Sequence, residues 1–280
     1  MRGDFLNLED RKRQEAEFHN FLRGKELVEG DSAQKEYYTS NKKFYAVTRA
    51  STEHIAHWLA QRVVGKRALD YACGDGGTSF HLAALGAKEV VGIDISEVSV
   101  ENCRREAARQ GVGDRCSFLV MDAENLSFSD GDFDFVVVDG ALHHLHLEKV
   151  WPQLVRVLKP EGAVMCVESL GHNPVFQWYR RNTPHLRTAW ETEHIIQRRD
   201  LESARNYFGQ IEMQFFHLAA LLAVPFRRTR VFQPLLALLD AVDSVLLRLP
   251  VVKWQAWMIW FVLSQPRCNA SGVDDKRGEE

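Results

Sequence analysis

The sequence predicts an α/β fold, a mostly parallel sheet with helices on both faces, on three observations. First, short apolar runs at Arg67–Ala72, Glu89–Ile95, Cys116–Asp122, Phe133–Gly140 and Ala163–Ser169 alternate with stretches of helical length. Second, runs such as Glu89–Ile95 are β-branched and apolar at nearly every position, as a strand covered on both faces must be. Third, helix punctuation falls between them. Gly86 ends a helix that starts near Thr78, Ser96 caps the next and Gly111 ends it, and Lys159-Pro160-Glu161-Gly162 stops the helix Leu147–Leu158. Strands alternating with helices in this way imply parallel pairing through right-handed crossovers.

Around this body the sequence divides into an N-terminal helical cover (residues 1–64), the body itself (65–265) and a polar tail (266–280) expected to be disordered. Two segments interrupt the rhythm. Residues 171–196 are rich in aromatic, basic and His residues, among them Trp178, Tyr179, Arg180, Arg181, Arg187, Trp190 and Glu193. A helix is expected near Arg199–Tyr207. Within 226–250, Leu235, Leu238, Leu239, Val242, Val245, Leu246 and Leu249 recur at helical spacing, with Asp240 and Asp243 on another face. That stripe is expected to pack on the body or in a dimer interface. Arg227, Arg228 and Arg230 ahead of it are also compatible with docking at an anionic membrane, the less favoured alternative.

Composition excludes several classes. With 35 basic and 38 acidic residues the net charge is -3, without the basic stripe of a nucleic-acid binder. The five cysteines are scattered and form no CxxC pair, so neither a metal site nor a disulfide framework is expected, only reduced thiols. The charged run Glu9–Arg13 stands where a signal peptide would need an apolar core, and nothing approaches the roughly 18 uninterrupted apolar residues of a spanning helix. The expected location is the cytoplasm.

The chemistry concentrates between Asp70 and Asp139. Leu69-Asp70-Tyr71-Ala72-Cys73-Gly74-Asp75-Gly76-Gly77 is a strand ending in a glycine-rich turn that opens a helix. Such a turn lets the backbone approach a ligand, and the helix N-terminus adds polarised N–H groups. Asp94 ends the next strand, about 20 residues on, where a carboxylate accepts ribose hydroxyls of an adenosine cofactor. Two such cofactors compete. A dinucleotide site needs G-x-G-x-x-G, and its last position here is Ser79. Asp70 before the turn would repel a pyrophosphate but suits an ammonium group, and Asp122 at the third strand end suits an adenine amino group. Acids at successive strand ends favour a cationic cofactor, S-adenosylmethionine.

On these residues the chain resembles the class I, Rossmann-like methyltransferases, in particular the small-molecule subgroup that includes ubiquinone- and menaquinone-pathway enzymes. Their D-x-G-x-G-x-G turn is matched by Asp70, Ala72, Gly74 and Gly76, with Ala72 replacing a glycine, a replacement that fits if φ there is negative. The run Phe133–Gly140 with Leu142-His143-His144-Leu145, and Leu158–Gly162 before the fifth strand, resemble later parts of the family pattern, so that the match covers about residues 67–170. The resemblance implies that Asp70 and the backbone of Ala72, Cys73, Gly74 and Gly76 hold the methionine end of the cofactor. It implies that Asp94 takes the ribose, Ile95 packs on adenine, and Asp122 with Ala123 meets the adenine edge, with Asp139 closing the same cofactor stretch. It implies seven strands, the last antiparallel, with Ile211–Leu221 sixth and Trp254–Leu263 seventh, a helical insertion before the last, and an acceptor bound by 171–196 and 226–250.

The acceptor is then a small molecule, open to an amphiphilic or lipidic one. Methyl transfer needs alignment and exclusion of water, and a base only where the acceptor must lose a proton. Candidates are His143 and His144, then His19, with His172, His185 and His194 on expected lids. A structural role in loop or pocket wall is the alternative for each. Tyr37, Tyr38 and Tyr45 are expected to line the cover. The competing functions are a nicotinamide-dependent oxidoreductase on a similar sheet and a non-catalytic binding module.

Overall fold

A computed structural model describes residues 8–24 and 32–267. In chain order the elements are helices α1 (Leu8–Arg23), α2 (Ser32–Thr39) and α3 (Arg49–Ala60), then β1 (Arg67–Tyr71), α4 (Gly77–Ala84), β2 (Glu89–Asp94), α5 (Glu97–Gln110), β3 (Cys116–Val120) and β4 (Phe133–Asp139). They continue with α6 (Leu147–Val157), β5 (Leu158–Ser169), α7 (Pro174–Asn182), α8 (Ala189–Glu193), α9 (Arg198–Ala204), β6 (Phe208–Phe216), α10 (Phe232–Leu246) and β7 (Met258–Pro266). Short 3-10 turns join several of these, notably Ser40–Val47 and Ala220–Phe226.

The seven strands form one sheet in the order β3-β2-β1-β4-β5-β7-β6. Neighbours from β3 to β5 pair in parallel, and β7 runs antiparallel to both β5 and β6. This is the expected fold class. The strand order reverses at β1, whose neighbours are β2 and β4, and that reversal opens the crevice in which open α/β sheets place ligands.

Alternation along each central strand feeds two cores, which is why the runs are apolar throughout. Leu69 and Tyr71 of β1, Val136 and Val138 of β4, and Ile259 and Phe261 of β7 point to one face, with Val150, Trp151, Leu154 and Val157 of α6. Ala68, Val137 and Trp260 point to the other, under Trp58 and Leu59 of α3, Leu82 of α4 and Val100 of α5. Ser96 caps α5 by accepting from Ser99 N, and Gly111 closes it at φ +68°.

Several expectations shift. The Lys159–Gly162 turn is no break: β5 starts at Leu158 and passes through it, absorbing the extra residues as a register shift opposite Phe133–Phe135. The sixth strand is Phe208–Phe216 rather than Ile211–Leu221, and the seventh runs on to Pro266, so the tail starts later than position 266. Arg267 N donates to Tyr207 O at 2.9 Å, and residues 268–280, with Cys268, lie outside the described residues. Cys73, Cys103, Cys116 and Cys166 are buried free thiols. No described helix is long and apolar enough to cross a membrane.

The largest departure is the orientation of α10. Its leucine and valine stripe does not face the body as a unit. Asp243 is buried instead, its carboxylate accepting the backbone N–H groups of Leu218, Ala219 and Ala220 at 3.0, 2.7 and 3.0 Å. Those amides open the 3-10 turn at 220–226 and have no partner within it, so a carboxylate supplies one. Asp240 pairs with Arg49 of α3 at 2.8 Å. With both acids drawn inward, Phe232 and Leu236 bury beside Asp243, while Leu238, Val242 and Val245 face outward.

Candidate functional site

The turn after β1 is built for close approach. Ala72 (φ +59°), Gly74 (φ +58°) and Gly76 (φ +79°) all take the left-handed conformation, so the chain reverses sharply before α4. Ala72 thus contradicts the expectation of a negative φ: an alanine methyl is held in a region costing roughly 1–2 kcal/mol. It is tolerated because the next residue is fixed at both its backbone groups, Cys73 N donating to Ile93 O at 2.7 Å and Cys73 O accepting from Gly76 N at 2.8 Å. At Gly74 a Cβ would lie 2.9 Å from the Arg23 guanidinium. The left-handed φ favours glycine there, and the Arg23 side chain would have to shift for a larger residue.

A cavity of about 240 Å³ lies over this turn at the carboxyl ends of the strands. Asp70, Ala72, Cys73, Gly74, Asp94, Ile95, Asp122, Ala123 and Asp139 all line it, as does His144. Gly76 shapes the turn without lining the cavity. Four acids expected from the sequence, Asp70, Asp94, Asp122 and Asp139, meet here. Asp94 accepts from Gly74 N at 2.9 Å through one oxygen and from Ser96 N at 2.8 Å through the other, which fixes its carboxylate against the turn. Asp70 accepts the Ser79 hydroxyl at 2.6 Å. Burial first, and then the nearby Asp139 and Asp94, outweigh that bond and push Asp70 up to about 7. Asp139 lines the cavity with its side chain still accessible, and its partial enclosure there, then the nearby Glu168 and Asp75, raise its pKa. Like charges crowd one cavity, and a bound cation would relieve them.

The opposite wall is α1, which sequence reasoning placed in the cover without naming its contacts. Arg11 donates to Glu124 and to the His144 carbonyl, and the Arg11 and Glu124 side chains are both almost wholly buried. Lys12 Nζ lies 2.6 Å from Asp122. Burial works against the Lys12 charge, but Asp122, Glu124 and Glu9 outweigh it and raise its pKa. Asn20 accepts from Ser96 Oγ at 2.7 Å, and Asn102 donates to Arg23 O at 3.1 Å. Arg11, Lys12, Glu15 and Arg23 are site residues missed from the sequence. The only signal was the charged run Glu9–Arg13, which also reads as a solvated helix face.

Two histidine–carboxylate pairs adjoin the cavity. His143 Nδ1 lies 2.7 Å from Glu168 Oε2. The other Glu168 oxygen accepts from Ala141 N at 2.9 Å and Leu142 N at 2.6 Å. His144 Nδ1 lies 3.0 Å from Glu15 Oε2, and its ring is 4.3 Å from that of His143. Burial opposes charge on His144, but Glu15 wins and raises its pKa. The same contact lowers Glu15 against the cost of its own burial. His19 lines the cavity. Burial and then the neighbouring His144 and Arg23 press it down to about 3, so it is neutral. His143 stands just behind the lining. The donor atoms of Glu15, His19 and His144, and of His143, His144 and Glu191, lie close enough together to hold a metal ion, but hydrogen bonds and ion pairs already join several of them.

The remaining candidates go elsewhere. His185 stacks on Tyr37 at 3.8 Å and His194 on Trp190 at 3.4 Å, while His172 sits by Trp254. Tyr38 packs on Phe21. Tyr45 packs edge-on to Trp257 at 5.5 Å, and the charges of Asp139, Glu191 and Glu168 bear on its hydroxyl. Of the basic residues in 171–196, Arg180 and Arg187 hold Glu191 at 3.3 and 3.5 Å.

Residues 68–162, running from β1 into β5, match a family profile described as a methyltransferase domain. The chain is 33% identical over 155 residues to a 24-methylenesterol C-methyltransferase of Oryza sativa subsp. japonica, covering 55% of this chain and 40% of that protein. It is 29% identical over 134 residues to a sterol 24-C-methyltransferase of Aspergillus fumigatus, covering 48% and 35%. The chain thus spans about two fifths or less of the length of these relatives. Among solved structures, a geranyl diphosphate C-methyltransferase from Streptomyces coelicolor A3(2) superposes with a TM-score of 0.60 at 14% identity, covering 93% of this chain and 100% of that one, which shows the shared fold. With the profile lying on the strands whose tips form the cavity, residues 68–162 constitute a methyltransferase domain of the Rossmann-like class.

Proposed function

We propose that this chain transfers a methyl group from S-adenosylmethionine to a small lipidic acceptor. The observation that carries the reading is the convergence of Asp70, Asp94, Asp122 and Asp139 on one cavity beside the glycine turn. Such a site is short of positive charge, and the donor's sulfonium and ammonium groups supply it. Asp70 with the Ala72–Gly76 backbone would hold the amino-acid end, Asp94 the ribose, Ile95 the adenine face, and Asp122 with Ala123 the adenine edge. Arg23, over Gly74, is placed for the carboxylate.

When bound, the donor supplies an activated methyl group. The chain's own work is alignment and exclusion of water, and α1 closes the cavity from above. His143 and His144 are placed to receive an acceptor proton, each oriented by a buried carboxylate, Glu168 or Glu15. The relatives named for sterols and a prenyl diphosphate support a lipidic acceptor. The buried free thiols fit a reducing compartment such as the cytoplasm.

A nicotinamide-dependent oxidoreductase is not favoured. Ser79 replaces the third glycine and is committed to Asp70, and the carboxylates would repel a pyrophosphate. The test is calorimetry followed by turnover. S-adenosylmethionine should bind where NAD does not, and isotopically labelled donor should label a component of a lipid extract. Absence of donor binding would defeat the proposal, while binding without any labelled product would point to a non-catalytic binding module.

A further inference from the structure

The outward face of α10 is apolar where a helix on a protein surface is ordinarily polar. Val231, Leu238, Val242 and Val245 follow one another at helical spacing, with Leu249 one turn beyond, and all are exposed, Leu238 at 61% and Val245 at 63%. The helix cannot roll to bury them. Asp243 on the opposite side holds three backbone N–H groups, and turning it outward would strand both partners.

Within the segment that carries this face basic residues predominate, while the exposed Glu53 of α3 lies near enough to act on Asp240. Between Ala220 and Gln255 the basic residues are Arg227, Arg228, Arg230, Arg248 and Lys253, and the acids are Asp240 and Asp243 alone, both engaged on the inner side. Among the described residues Arg228 and Arg230 have no carboxylate partner and are exposed. This is a local cationic rim on a chain whose net charge is -3. An apolar stripe rimmed by arginine complements a bilayer surface carrying anionic headgroups, where the stripe enters the acyl boundary and the guanidinium groups meet phosphate. A partner protein of ordinary mixed charge would match the apolar stripe but not the rim.

The geometry points to α10 as a peripheral docking element for an anionic lipid surface. No described helix is long and apolar enough to cross a membrane. The inner side of the same helix packs, through Phe232 and Leu236, in one cluster with Val47 and Phe44. Those residues belong to the 3-10 turn Ser40–Val47 of the N-terminal cover, whose Phe44 and Tyr45 both pack on Trp257. Docking therefore places a membrane-dissolved acceptor beside the cover of the site, which deepens the methyl-transfer reading without depending on it.

The test is co-sedimentation of the full chain with vesicles of phosphatidylcholine, with and without phosphatidylserine, which needs neither donor nor turnover. Binding should require phosphatidylserine and weaken at high salt. Arg228→Ala with Arg230→Ala should weaken partition on the order of thirtyfold, and Leu238→Asp with Val245→Asp should abolish it. These positions are outside the cofactor cavity, so unchanged melting temperatures would show that the variants fold. Equal binding of parent and Leu238→Asp/Val245→Asp would overturn the inference. So would failure to sediment with anionic vesicles, or a solution dimer that those substitutions dissociate while vesicle binding is absent.

Discussion

His143 Nδ1 and Glu168 Oε2 lie 2.7 Å apart, with the other Glu168 oxygen fixed by two backbone N–H groups. A carboxylate can only accept, so the proton between them sits on Nδ1 and leaves Nε2 as the basic nitrogen. Glu168→Gln would present an amide N–H to Nδ1 or lose the bond, and the imidazole would turn to the other tautomer. Turnover is expected to fall by roughly 10²–10⁴ while donor affinity changes little, read from steady-state rates and calorimetry on the same variant. Equal losses in both would mean that Glu168 merely supports the fold.

Asp94 offers a narrower test. Its two oxygens already accept from Gly74 N and Ser96 N, and the lone pairs that remain face the cavity. Asp94→Ala should weaken donor binding by roughly 1–3 kcal/mol through loss of charge-assisted hydrogen bonds. Unchanged affinity in a folded variant would reject the ribose contact.

Asp70 links pH to both stability and binding. Its pKa rises on folding from 3.8 to about 7, so the folded chain prefers the neutral acid. The stabilisation this gives is complete below the unfolded value and is lost as pH climbs through about 7. A bound cation favours the ionised form, so donor binding releases protons and tightens across the same interval. The melting temperature of the unliganded chain should thus gain a falling component with pH while the donor-induced rise in melting temperature grows. Asp70→Asn should flatten both trends; two unaltered profiles would remove Asp70 from the binding role.

Ala72 carries backbone strain that its family counterpart, a glycine, avoids. Ala72→Gly relieves a left-handed alanine, partly offset by the greater freedom of glycine in the unfolded chain. A net gain of about 0.5–1 kcal/mol is expected as a higher urea midpoint with unchanged slope. A lower midpoint would show that the methyl's packing on the sheet core outweighs the strain.

The clamp of α1 depends on an ion pair almost wholly shielded from water. Arg11→Ala would leave Glu124 buried with only backbone His146 N and the more distant Lys12 and Lys149 for company. A loss of about 3 kcal/mol is expected in denaturant melts, and Glu124→Gln in the same background should recover part of it by removing the orphaned charge. Full additivity of the two substitutions would argue against the pair as a unit.

The sequence by itself determined the sheet and the inner wall of the site. Each strand is a local run with its own helix signals, and each acid from Asp70 to Asp139 is fixed by lying at or just past a strand end, so periodicity and spacing are enough to bring them together. The outer wall was decided by tertiary structure. Nothing local to Arg11, Lys12 or Glu15 tells a solvated helix face from one laid across Asp122, Glu124 and His144, because the partner charges are more than a hundred positions away. The same reason governs α10. Its leucine spacing predicts a buried face, but the three amides at 218–220 that claim Asp243 belong to a different segment, and satisfying buried N–H groups outweighed hiding the valines.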